Sequence, residues 1–143
     1  MTFGQSVKSV YSKYVTFSGR APRSEYWWFM LFFNIIYLGL YAVMMVVTFT
    51  LYASNPTGSP SMAPIILSSS LLTVFVLGSL LPSISVMVRR LHDVNRSGWW
   101  YWIALVPLVG IILLLVWFCT KGTDGPNDFG SDPLGGGNAD VFE

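Results

Sequence analysis

The stretch YWWFMLFFNIIYLGLYAVMMVVTFTLY, from Tyr26 to Tyr52, runs for 27 residues without a charge. As a helix it would measure about 40 Å at about 1.5 Å per residue. A hydrocarbon core is about 30 Å thick, so the stretch can cross with tilt or end inside the interface. Two more uncharged runs follow, Pro64 to Val88 and Trp99 to Cys119. Each supplies the roughly 20 residues that a spanning helix needs. The sequence therefore predicts an all-α, integral membrane three-helix bundle with spans at about 26–52, 64–88 and 99–119. Residues 1–134 form a single membrane domain in this reading. The first run is too long for a signal peptide, whose apolar stretch is about 7–15 residues.

Composition agrees. Of the 143 residues, 53% are hydrophobic and 10% are charged, against roughly 25% charged in soluble globular chains. So few charges cannot cover a water-facing surface. All eight Lys and Arg lie within residues 1–121, where Glu25 and Asp93 are the only acids. The tail beyond carries Asp124, Asp128, Asp132, Asp140 and Glu143 and no base. The bases are few and dispersed, which argues against nucleic acid as a partner. Cys119 is the single cysteine. It excludes an internal disulfide and reads as an apolar filler. No metal or cofactor is expected.

Orientation follows from Lys and Arg in the short loops. Lys8, Lys13, Arg20 and Arg23 precede the first run; residues 53–63 have none; Arg89, Arg90 and Arg96 follow the second run; the tail has Lys121. This alternation predicts a cytoplasmic N-terminus and second loop, with the first loop and the acidic tail outside. Trp27, Trp28, Trp99, Trp100 and Trp102 fall at the predicted inner boundary, the headgroup level that indole favours.

Phe3, Val7, Val10, Tyr14 and Phe17 recur at spacings of four and three, which predicts an N-terminal amphipathic helix lying in the interface. Residues 53–61 are turn formers and read as a connector. Pro82 and Pro107 fall inside the second and third runs and read as tolerated kinks. Spacings in the tail do not fit an EF-hand; it reads as a short irregular acidic tail, disordered from 135 to 143.

No ionisable residue lies inside any run, which argues against a pump or proton-coupled carrier. Chemistry is left to two segments on the predicted cytoplasmic side. Residues 17–28 hold Arg20, Arg23 and Glu25, with Ser24 able to cap the first span. Residues 89–100 hold Arg89, Arg90, His92, Asp93 and Arg96. The helix is expected to run a turn past the membrane and break at Asn95 to Gly98. Arg89 and Asp93 are one turn apart and can pair; His92 can titrate near neutral pH. A polar cluster can form, with Glu25 and Asp93 bridging arginines of the other segment. These eight residues are the candidate interaction face. A His–Asp pair without a nucleophile or metal site is weak evidence for an enzyme.

Phe17-Ser18-Gly19-Arg20 with Arg23, Glu25, Tyr26 and Trp27, then Arg89-Arg90-Leu91-His92-Asp93 with Arg96-Ser97-Gly98-Trp99, then Gly122, Gly125, Asn127, Phe129-Gly130 and Asp132-Pro133 resemble the bacterial inner-membrane family known as domain of unknown function 805. The resemblance covers roughly residues 5–134. It implies a small three-span protein of the inner (plasma) membrane and no reaction. Where the family has a basic residue after the tail Asn, this chain has Asp128.

The expected function is that of a non-catalytic inner-membrane protein. Its cytoplasmic Arg/His/Asp face would bind anionic membrane lipids or a partner membrane protein. The alternatives are a transporter or channel built as a homo-oligomer, and an enzyme acting on lipid headgroups through His92 and Asp93.

Overall fold

A computed structural model describes residues 1–55 and 58–135. The chain falls into two compact units, one made of Met1–Met30 with the chain from Leu81 on, the other of Leu31–Leu80. Among the described residues the secondary structure is helical, with one isolated bridge between Asn127 and Gly130.

Helix α1 (Phe3–Ser12) begins in a capping box: Thr2 accepts from the Gln5 N–H, and the Gln5 side chain accepts from the Thr2 N–H. Val10 and Ser6 are buried, while Phe3, Tyr14 and Phe17 stay exposed. The expected stripe therefore splits. Val10 turns inward beside a polar face formed by Ser6 and Ser9, and Phe3 lies edge-on to Trp28 at 5.8 Å. The turn after α1 is closed by the buried Ser85, whose hydroxyl donates to the Thr16 carbonyl at 2.6 Å and lies 3.1 Å from that of Lys13.

Helices α2 (Arg23–Ser54) and α3 (Ala63–Asp93) are long and apolar enough to cross a membrane. The second unit takes α2 from Leu31 on and α3 up to Leu80. There Phe33 stacks on Phe75 at 5.4 Å, and Tyr37 on Phe33 and Tyr41. The hydroxyls of Thr48, Thr50, Ser68, Ser69, Ser70 and Thr73 donate to carbonyls three or four residues earlier. This satisfies them without water, as a hydrocarbon setting requires. Pro82 lies inside α3 without ending it. α3 ends in a Schellman motif: Asn95 takes φ 55°, its N–H donates to His92, and the Arg96 N–H donates to Leu91.

The third apolar run is not one continuous helix. It forms a 3₁₀ helix (Gly98–Leu105), a break, and an 11-residue helix α4 (Val109–Cys119). α4 is about 16 Å long at about 1.5 Å per residue, roughly half a hydrocarbon core. The break has a local cause. Pro107 lacks an N–H and forces Val106 to be extended (φ −84°, ψ 108°). Leu108 then takes φ 63°, and α4 starts against the end of the 3₁₀ helix. A Cβ at Gly110 would lie 1.7 Å from the Ile103 carbonyl oxygen. The run is a hairpin whose ends meet: Trp100 packs edge-on against Trp117 at 5.6 Å, and the Arg96 guanidinium lies 4.4 Å over the Trp117 ring. Pro107, expected as a tolerated kink, is the turn of this hairpin.

The tail consequently returns to the side of the N-terminal segment. Arg20 donates to the carbonyls of Thr123 and Gly125 at 2.5 and 2.6 Å. The reading of the charges set tail and N-terminus apart; in the structure their groups lie within hydrogen-bond distance. Residues 122–135 are turns as expected, with Asn127 and Gly130 exchanging N–H bonds. The expected disorder from Gly135 on lies, beyond Gly135 itself, outside the described residues.

Gly110→Ala should drive the arms of the hairpin apart at a cost of about 1–3 kcal/mol, the usual range for overpacking. It should lower the melting temperature in detergent. Gly39→Ala, whose Cβ would meet nothing within 4 Å, should leave it unchanged.

Candidate functional site: a buried arginine–carboxylate cluster

The first unit is held by ionic groups as much as by apolar ones. Its apolar core is Val10, Ala21, Tyr26, Phe29, Val86, Leu91, Leu114 and Phe118. Against it lie Arg20, Glu25, Arg89, Arg90 and Asp93, all buried.

Two ion pairs join the N-terminal segment to the end of α3. Arg89 Nη1 donates to Glu25 Oε1 at 2.8 Å, and the same oxygen accepts the Ser9 hydroxyl at 3.1 Å. Asp93 takes Arg20 on Oδ1 at 3.0 Å and Arg90 on Oδ2. Asp93 thus pairs with Arg20 and with Arg90 one turn earlier, not with Arg89 as expected. The Arg89 carbonyl accepts the Ala21 N–H at 3.0 Å, which seats the Gly19–Pro22 turn on α3. Gly19 makes that turn at φ 81°.

The arginines then reach for backbone. Arg90 donates to the carbonyls of Phe118 and Thr120, and Arg23 to that of Cys119 at 3.3 Å. These are the carbonyls at the C-terminal end of α4, where cations are favoured. Arg20 caps the tail turn through Thr123 and Gly125, with Gly130 at 3.4 Å. Asp93 also holds the tail by its own carbonyl, which accepts the Thr123 N–H at 2.9 Å. Gly122 must be glycine here, since a Cβ would lie 2.2 Å from Asp93 Oδ2.

His92 is the hinge pin of the tail. Phe129 stacks flat on its ring at 4.1 Å and 5°. Asn127 Nδ2 donates to the His92 carbonyl at 2.9 Å and to Thr123 Oγ1 at 2.8 Å. His92 Nδ1 lies 3.1 Å from the Gly19 carbonyl. A carbonyl only accepts, so Nδ1 carries a proton.

The eight candidate residues meet in one unit, but not as one open face. Arg20, Glu25, Arg89, Arg90 and Asp93 are turned inward and spent on each other and on backbone. Arg23 and Arg96 are exposed and His92 is half-buried. Sequence reasoning missed the tail's part in the cluster. The carbonyls of Phe118, Thr120, Thr123 and Gly125 are not visible as partners in side-chain identity. The tail motif Gly122, Gly125, Asn127, Phe129-Gly130 and Asp132-Pro133 hinted at it. Arg89 Nε and Nη2 are buried and find no hydrogen-bond partner among the described residues.

Glu25→Ala leaves the Arg89 charge buried and unpaired, which costs about 3–5 kcal/mol. Chemical denaturation in detergent should show that loss. Arg89→Met added to Glu25→Ala should restore most of it, whereas independent effects would add.

The family described as Protein of unknown function (DUF805) matches residues 14–131. Inner membrane protein YhaI of Escherichia coli strain K12 is 39% identical over 130 residues, 91% of this chain and 96% of the relative. Inner membrane protein YhaH of the same strain is 38% identical over 127 residues, 87% of this chain and 92% of the relative. No solved structure matches. None of these names carries an enzymatic activity, and both relatives are named for the inner membrane. Matched through the N-terminal arginine segment, the end of α3 and the tail turn alike, the chain belongs to the DUF805 family of inner-membrane proteins of unknown function.

Proposed function

We propose that the protein is a non-catalytic inner-membrane component with both termini in the cytoplasm, where it binds the phosphate of anionic lipid headgroups. α2 and α3 cross the bilayer. The 3₁₀–α4 hairpin enters the inner leaflet and returns. With the tail on the N-terminal side, all eight Lys and Arg fall on one side and the connector after α2 has none. The positive-inside rule then gives a single orientation, and Lys121 ceases to be an exception. α1 lies in the inner interface with Phe3, Tyr14 and Phe17 toward lipid and Lys8 toward the headgroups.

The observation that carries the binding reading is a cavity of about 500 Å³ at the start of α2, lined by Arg23, Ser24 and Lys121. Arg23 and Lys121 are exposed, unlike the arginines of the cluster. Acids in the wall are already engaged. Asp93 is held by Arg20 and Arg90. Asp132 accepts the Leu134 and Gly125 N–H groups, and these, the Leu134 bond first, keep its carboxyl below the usual range. Asp124 pairs with Lys121 in the open, and an exposed pair opens at little cost. A phosphate could take its place.

A reporter fused after Glu143 should be active in the cytoplasm, and one inserted at Gly58 should be active outside; a periplasmic C-terminal reporter sinks the topology. For the lipid, native mass spectrometry of the whole protein should show phosphatidylglycerol retained over phosphatidylcholine. Arg23→Ala with Lys121→Ala should cut that retention several-fold at unchanged melting temperature. Equal retention of both lipids, or no loss in the double variant, removes the headgroup reading.

A further inference from the structure

A second cavity lies on the other side of His92. It measures about 360 Å³ and is lined by Phe17, Val88, His92, Ser97, Gly98 and Trp99. That is the lower end of the roughly 300–1,000 Å³ of small-molecule sites.

Three facts define what it can hold. The first is the state of His92. Its Nδ1–H is given to Gly19 and one ring face is covered by Phe129. In the neutral ring Nε2 is therefore the acceptor, and it has no hydrogen-bond partner among the described residues. The second is Gly98. A Cβ there would lie 3.5 Å from His92 Nε2 and 2.7 Å from Val88 Cγ1. Only glycine leaves the approach to Nε2 open. The third is the lining. Phe17 and Trp99 are exposed, Trp99 at 79%, and Trp99 opens the apolar hairpin. Ser97 adds a hydroxyl that accepts the Trp99 N–H at 3.4 Å and keeps its own proton to donate.

An unprotonated nitrogen and a serine O–H lie between two aromatic side chains and beside the exposed apolar residues of the hairpin; with the hairpin in the inner leaflet as proposed above, they match a neutral hydroxyl group on a membrane-soluble molecule. We propose that this cleft binds such a hydroxyl, donated to His92 Nε2, with a ring-bearing phenol or hydroquinone head favoured by the aromatic walls. A glycerol hydroxyl of a lipid headgroup offers the same donor. A phosphate does not, since it brings acceptors to an acceptor. This site is thus chemically distinct from the Arg23–Lys121 cavity and independent of it.

His92 is the only histidine, so the test has a single reporter. The whole protein, labelled with ¹⁵N-histidine, is placed in phosphatidylcholine nanodiscs at a pH where the ring is neutral. The spectrum should show Nδ1 protonated and Nε2 bare; a protonated Nε2 in the neutral ring overturns the proposal at once. Addition of 4-octylphenol should move the Nε2 resonance upfield, while 4-octylanisole, of the same shape but without the O–H, should not. Trp99→Ala should weaken the phenol response at least fivefold, measured against that variant's own phenol-free spectrum, with Nδ1 still protonated and Nε2 still bare. Replacing the host lipid with phosphatidylglycerol separates the sources. A shift with phenol alone assigns the ring, and a shift with phosphatidylglycerol alone assigns the headgroup glycerol. No shift with either, or an equal shift with the anisole, overturns the proposal.

Discussion

Two guanidinium groups share the carboxylate of Asp93, a buried side chain. Arg20 comes to it from the segment before α2 and Arg90 from one turn back on α3. The carbonyl of the same residue holds Thr123. A single residue thus ties together the N-terminal segment, the end of α3 and the tail. Buried ion pairs often add little net stability over an apolar replacement, because both charges lose their hydration. Their effect is on what is permitted. With Arg20, Arg89 and Arg90 against Glu25 and Asp93, one positive charge is left over. The carbonyl ends of α4 and the tail turn, which carry partial negative charge, are what can compensate it. The hairpin must therefore bring its last turn back to Arg90, and the break at Pro107 is what allows it to return.

Legibility in the sequence followed the kind of physics involved. α2 and α3 could be read because transfer to lipid depends on composition and length, and both are explicit in the residues. The third run failed on the same reasoning. Its apolarity says where its atoms prefer to be, not whether the backbone stays helical between them. The signal for the break was there in Pro107 with Gly110 three residues on, but either alone is tolerated in a spanning helix. The charge count read with three crossings placed the tail opposite the N-terminus, whereas the tail's hydrogen bonds run to Arg20 and Asp93. The pairing of Glu25 and Asp93 with arginines of the opposite segment was readable, because no other acid precedes residue 124. The partner within each pair was not, since it depends on the angle at which α2 leaves the Gly19–Pro22 turn.

The second unit has a different character. Its hydroxyls are turned back onto their own helices and its aromatic rings stack on each other. The charged side chains and both cavities belong to the first unit. The division matches the relatives' shared naming for the inner membrane: one part suited to passing through lipid, the other carrying the charged side chains.

The tail's hydrogen bonds have a consequence for how the molecule is made. A chain leaves the ribosome from its N-terminus, so Arg20 and Arg90 are synthesised before the carbonyls of Phe118, Thr120, Thr123 and Gly125 that receive them. Until those carbonyls are made, the guanidinium groups of Arg20 and Arg90 are still served by water. Closure of the cluster is then a late, discrete event. Up to that moment the chain carries charge that the tail has yet to cover.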